Sequence, residues 1–198
     1  MPGSRTPETV HLWGGALCLD FANSVDWSPE GEHVDPEHSD VLGAAGMLSR
    51  WGRRLELLGD DAEPSAAEEG CARALRTAVY HLFSSISRGR EPATKDLDVL
   101  MGDYIEAVER ASLLPSEGFY RLGWPAADPR GVRYAVAVDA IALLQDPGRL
   151  ARVSRCPGRG CGWLFLNTSG RRRWCSMSTC GSREKMRRLY ERRRQCAS

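Results

Sequence analysis

Four cysteines offer the densest chemistry in this chain. Cys156, Cys161, Cys175 and Cys180 fall within "CPGRGCGWLFLNTSGRRRWCSMSTC", spaced as two C-x4-C pairs with thirteen residues between them. Two short-spaced pairs separated by roughly ten to twenty residues suit a tetrahedral Zn²⁺, because each pair sits on a tight turn and the segment between them folds back to close the site. A redox pair would read C-x-x-C beside a βαβ pattern, and neither feature is present. A disulfide framework draws on an even cysteine set in a small secreted chain, whereas this chain has seven cysteines over 198 residues. Four thiolates fill the coordination shell, which makes the metal structural rather than catalytic. All four histidines (His11, His33, His38 and His81) stand outside the cluster. One structural Zn²⁺ is the expected cofactor.

The residues around the ligands indicate the elements that hold them. Pro157, Gly158 and Gly160 supply turn chemistry for the first pair. "WLFL" (163–166) reads as a strand, "NTSG" as a turn and "RRRWC" as the return strand. "GSREKMRRLYERRRQ" reads as a helix, with Met186 and Leu189 expected to pack on the hairpin near Trp163 or Phe165. Knuckle, β-hairpin and C-terminal helix make a treble clef. A module this small buries too little apolar surface to fold unaided, so metal binding supplies most of its folding free energy, ~10–16 kcal/mol in apparent terms.

Charge is distributed very unevenly. From position 149 onward thirteen arginines and one lysine stand against Glu184 and Glu191, which gives +12. The preceding 148 residues hold the other 13 basic and 24 acidic residues, which gives −11, so the net +1 conceals two opposite halves. Even with the −2 of a Zn(Cys)₄ centre the module keeps about +10. Such a surface calls for a polyanionic partner. The expected contacts are Arg171, Arg172 and Arg173 on the return strand and Arg183, Lys185, Arg187, Arg188 and Arg192 on the helix. Double-stranded DNA is the favoured nucleic acid, since one short helix fits the major groove, and a lone recognition helix implies a homodimer. RNA and an acidic protein surface, including the chain's own acidic half, stand as alternatives.

The fold class expected is α+β, mainly α, with an acidic helical domain over residues 1–148 and the treble-clef finger over 149–198. Cys71, Leu75, Val79, Leu82, Phe83 and Ile86 recur at helical spacing within 66–88, with Ser65 as N-cap. A second stripe runs through Leu97, Leu100, Met101, Tyr104, Ile105 and Val108, with Thr94 as cap. Residues 129–145 are apolar on nearly every side, as a central helix requires, residues 40–58 carry a weaker helical spacing, and "FYRLGWP" (119–125) alternates as a strand. Cys18 and Cys71 read as buried hydrophobic thiols, and Cys196 receives no role. "HVDPEHSD" reads as a polar loop rather than a metal site. Asp20 and Asn23 interrupt an apolar run, as a buried hydrogen-bonded pair fixing the Gly14–Gly15 turn or capping a helix would. No catalytic constellation emerges, so no enzyme activity is expected. No apolar run reaches membrane-spanning length and no secretory leader is evident, so no membrane partner and a cytoplasmic location are expected.

Two stretches carry a family resemblance. "CGWLFLNTSGRRRWCSMSTCGSR" resembles the CGNR zinc finger, and "WGGALCLDFANSVD" resembles the opening of the ABATE domain, which in that family precedes the finger at about this distance. The resemblance implies a bacterial, stress-responsive transcription regulator whose N-terminal domain senses a ligand or signal. It also raises Asp20 and Asn23 as contacts for a small-molecule effector. Ser182 stands where the family pattern has asparagine. As a helix cap serine serves equally well, whereas it could not make a bidentate amide contact to adenine.

Overall fold

Ser65 and the stripe Leu75, Val79, Leu82 and Phe83 fix the first long helix, Ala66–Ile86. The Ser65 hydroxyl accepts the Glu68 amide at 3.2 Å, and all four stripe residues are fully buried. Burial of each side chain of this size contributes about 1.5–3 kcal/mol. The computed structural model describes residues 5–196. Residues 1–4 and 197–198, the outer ends of the two expected domains, and the side chains of Pro36 and Cys196 lie outside the described residues.

In chain order the helices are α1 (Leu17–Ala22), α2 (Pro36–Ser39), α3 (Met47–Arg54), α4 (Ala66–Ile86), α5 (Thr94–Arg110), α6 (Gly131–Gln145), α7 (Pro147–Leu150) and α8 (Ser182–Cys196). Strands β1 (Ser112–Ser116) and β2 (Phe119–Gly123) form one antiparallel hairpin, and β3 (Val153–Arg155) and β4 (Leu164–Leu166) form another. The architecture is α+β and mainly helical. Helices α1, α4, α5 and α6 pack on one another around α6, whose Val132, Val136, Ala137, Ala140 and Leu143 are fully buried. The one cation in that helix, Arg133, is neutralised by Glu68 at 2.9 Å on α4 and by Asp103 and Glu106 on α5, so it ties three helices together. Arg76 makes the equivalent fork to Asp40, both contacts at 2.6 Å, beneath the 30s loop.

Several sequence expectations change. The 40–58 helix shrinks to α3, bounded by positive φ at Gly46 and Glu56. Thr94 opens α5 as its first residue and makes no side-chain cap, the position before it being Ala93. Residues 112–116, unassigned from sequence, pair with the expected strand at 119–123, the register running Ser112 to Gly123 and Ser116 to Phe119. Cys18 is buried as expected, but Cys71 is exposed on the outer face of α4. In the finger, "RRRWC" forms no strand. The partner of β4 is β3, from before the first cysteine pair, with Val153 opposite Leu166 and Arg155 opposite Leu164. The first knuckle is therefore the loop of the hairpin itself. Met186 is half exposed and α8 buries none of its described side chains, so the expected packing of Met186 and Leu189 on the hairpin is absent.

"WLFL" is apolar throughout because β4 is buried on both faces. Leu164 and Leu166 join the helical core with Val153, while Trp163 and Phe165 point the opposite way and pack on the cysteines. The outer edge of β4 is closed by the N-terminal segment. The Asn23 side-chain amide donates to the Leu164 carbonyl at 2.8 Å, and its oxygen accepts the Leu164 N–H at 2.9 Å. The Leu166 N–H donates to the Gly14 carbonyl at 2.7 Å. Beside them Tyr80 on α4 donates its hydroxyl to the Gly162 carbonyl at 3.0 Å. Gly162 must be glycine here, since a Cβ would stand 2.6 Å from that hydroxyl.

Asn23→Ala orphans a buried N–H and a buried carbonyl at once. The expected loss is about 2–4 kcal/mol in denaturant unfolding of the zinc-loaded chain. A loss under about 0.5 kcal/mol would contradict the role given to Asn23.

Candidate metal centre and its basic surroundings

Each ligand is set by backbone geometry next to a short element. Cys156 follows β3 directly and its N–H donates to the Trp163 carbonyl at 2.8 Å; the Cys161 N–H donates to the Gly158 carbonyl at 2.9 Å, closing the knuckle. A Cβ on Gly158 would lie 3.0 Å from the Cys180 sulfur and 3.4 Å from that of Cys156, so this turn leaves the metal volume free only with glycine. Cys175 ends the loop after "RRRW", and Cys180 lies in a single π-helical turn, Met177–Gly181, that runs into α8. The four Sγ atoms lie within 4.8 Å of one another, with Cys161 to Cys175 at 3.8 Å and Cys175 to Cys180 at 3.6 Å. A tetrahedron with Zn–S bonds of about 2.3 Å has edges of about 3.8 Å, so the donor set fits one zinc ion closely. Cys156, Cys175 and Cys180 are buried and Cys161 half-buried.

The thiols demand a cation. Hydrogen bonds from the other three hold Cys156 far below the ordinary thiol range, while sharing protons with that thiolate pushes Cys161 and Cys175 far above it. A divalent ion replaces those protons and lets all four sulfurs ionise. Among the described residues this is the one group of three or more potential ligands that converges. The letters of "HVDPEHSD" disperse: His38 pairs with Asp35 at 2.9 Å, Asp40 with Arg76, and His33 meets the Trp27 ring edge-on.

The basic residues divide into distinct groups. Arg172 turns inward. Its guanidinium donates to the carbonyls of Trp174 at 3.1 Å, Trp13 at 2.6 Å and Cys175, and stacks 4.5 Å above the Phe165 ring. It belongs to the metal centre's scaffold, a role its place within "RRR" conceals. Arg187 and Arg188 both reach Glu184, at 2.7 and 2.8 Å, and Arg187 also reaches Glu191. Arg171, Arg173, Arg183, Lys185 and Arg192 are exposed and make no ion pair with a carboxylate among the described residues. Arg173, Lys185, Arg188 and Arg192 line a groove of about 570 Å³ between α8 and Trp174. Ser182 accepts no helix amide; its hydroxyl donates to the Met177 carbonyl at 2.9 Å and ties the π-helical turn to α8.

Asp20 and Asn23 both serve the seam beside the metal. Asp20 accepts the Gly14 N–H at 2.6 Å and so fixes the turn whose carbonyl receives Leu166. Burial pushes its carboxyl up to about 6, against the opposing pull of the Gly14 amide and the Arg172 charge. Residues the sequence did not single out complete the seam: Trp13 packs against the cysteine cluster, and Arg5 lies 4.7 Å over the Trp163 ring while donating to Asp26 and to the Asn23 carbonyl.

Two family models match the chain. Residues 15–147 match the ABATE model, described as "Putative stress-induced transcription regulator". The chain belongs to the ABATE family. Residues 152–193 match the CGNR zinc finger, so the four-cysteine centre described above is the zinc site of an ABATE–CGNR chain. No curated protein matches the sequence. No described helix of this ABATE protein is long and apolar enough to cross a membrane.

Arg172→Ala should cost about 2–4 kcal/mol of stability and weaken zinc retention against a competing chelator, while Arg171→Ala and Arg173→Ala should stay within about 0.5 kcal/mol of wild type. Equal effects at all three positions would refute the inward role of Arg172.

Proposed function

We propose that this ABATE–CGNR chain is a zinc-stabilised, DNA-binding transcription regulator whose helical domain senses a small-molecule effector. The observation that carries the reading is the disposition of charge around the metal. Five exposed cations without a carboxylate partner among the described residues, Arg171, Arg173, Arg183, Lys185 and Arg192, sit on the 171–173 loop and on α8, and the metal centre lies between these two segments. A rigid frame presenting cations from a loop and a helix is suited to contact phosphates on one duplex while the helix enters the major groove. The groove beside Trp174 runs along α8 and is lined by Arg173, Lys185, Arg188 and Arg192 together with Glu184 and Glu191, so cations outnumber carboxylates there by two. Met186 and Tyr190, left exposed on the same helix, are available for base edges and sugars.

Structured RNA is the second reading of the same surface, and competition between duplex DNA and RNA hairpins separates the two. An acidic protein surface is a third, and the chain's own acidic half is the obvious one. Arg155 donates to the Ser28 carbonyl at 3.2 Å and Arg172 to that of Trp13, both in the helical domain, while Arg183, Lys185 and Arg192 on α8 take no such contact among the described residues, which favours an external polyanion. The chain acts by binding rather than catalysis, in the cytoplasm, and as a pair of copies. In this reading an effector acts by altering how the helical domain holds β4. Asp20 and Asn23 act on the finger through those hydrogen bonds; direct contact with the effector is a role the family resemblance alone assigns them.

Selection from a random duplex pool with zinc present should enrich a motif, and affinity for it should fall steeply with salt. Replacing Arg171 or Arg173 should reduce the log–log salt slope by about one each, whereas replacing Arg187, already held by two glutamates, should reduce it less. Affinity unchanged between low and high salt, or tighter binding to structured RNA, would overturn the DNA assignment.

A further inference from the structure

Helix α5 buries less of its apolar surface than its sequence supplies. Leu100 and Ala107 face the core, but Leu97, Met101, Ile105 and Val108 follow one another at i, i+4, i+8 and i+11 along an adjacent face and are each 40–49% exposed. The β1–β2 hairpin begins two residues later and is pinned to the last turn of α5 by the Trp124 indole, which donates to the Ala107 carbonyl at 2.8 Å. It adds Leu113 at 68% and Tyr120 at 70% exposure, which strand alternation and register place on one face of the hairpin.

From these fractions, and about 200 Å² for a fully exposed residue of this size, the six side chains present on the order of 600 Å² of apolar surface. That is at the upper end of the largest patch on an ordinary monomer. A stable pairing buries about 800 Å² on each partner, of which somewhat over half is apolar, or about 450–500 Å². The six side chains, on two elements that follow one another in the chain, together expose enough apolar surface to form the centre of a stable interface. A two-stranded hairpin with five residues in each strand is also marginal in water unless something packs on it.

We propose that this face of α5 and the hairpin after it form a twofold interface between two copies of the chain. A straight apolar helix stripe is self-complementary when its copy is turned antiparallel by a twofold axis, Leu97 meeting Val108 across the axis and Met101 meeting Ile105, so one sequence supplies both sides. The interface uses no residue of the metal centre or of the basic strip, and both finger surfaces stay outside it. It rests on exposed apolar area and not on nucleic-acid binding, although a paired regulator would use it to present two basic strips at a fixed spacing.

The test is sedimentation velocity on the full zinc-loaded chain at tens of micromolar with no nucleic acid, so that the result is independent of the DNA assignment. Wild type should sediment at twice the chain mass. Ile105→Lys should sediment at the chain mass with unchanged helical circular dichroism. Tyr120→Lys, on the exposed hairpin and away from the core, should weaken the dimer at least tenfold. Met101→Leu should leave it paired. A monomeric wild type, meaning that a different protein covers this face, would overturn the proposal. So would an Ile105→Lys or Tyr120→Lys chain that stays fully dimeric, since pairing would then use another surface.

Discussion

The structure depends on the contact between one side-chain amide and one peptide unit. Asn23 offers a donor and an acceptor in the geometry of a neighbouring strand, and Leu164 uses both. Without it, a three-residue strand in the middle of the protein would carry two unpaired polar groups between two apolar layers. With it, β4 becomes a wall shared by two cores. Leu164 and Leu166 complete the helical core, and Trp163 and Phe165 cover the cysteines. The zinc site and the helical bundle are thus packed on opposite faces of the same strand, and each restrains the other.

This arrangement revises the energetics of the finger. A module of its size standing alone takes nearly all its folding free energy from metal. Here part of that stabilisation comes from contacts with residues 82 or more positions away. Gly14 and Asn23 close the edge of β4, Tyr80 donates to the Gly162 carbonyl, and Arg172 reaches back to Trp13. Asp20 orders the Gly14 turn and Arg172 orders the loop before Cys175, so the two polar residues of the opening motif act on the finger. The same contacts give a physical route by which a change in the helical domain reaches the basic strip.

Much of this was legible in the sequence, for identifiable reasons. The cysteine spacing fixed ligand identity because tetrahedral thiolate chemistry allows few alternatives, and α4 and α6 were legible because burial imposes their periodicity. Asp20 fixes the Gly14 turn as expected, whereas Asn23, expected to share that task, bonds the Leu164 peptide unit instead. The partner of β4 was not legible: "RRRWC" follows the turn and reads as the return strand, whereas tertiary packing selects Val153–Arg155, which the sequence does not mark as a strand. Arg172 was indistinguishable from Arg171 and Arg173 in a run of identical residues. The exposed stripe of α5 looked like core because periodicity reports that a face is apolar and says nothing of what covers it.

The central claim is that finger and helical domain form one cooperative unit joined at β4. Native-state amide hydrogen exchange with and without zinc tests it most directly. The account predicts that the Leu164 and Leu166 amides open with the same free energy as the amides of α1 and α4 in the zinc-loaded protein, and that chelation lowers protection in all of them together. If chelation frees only the finger amides and leaves α1 and α4 fully protected, the two halves are independent modules and the account is wrong.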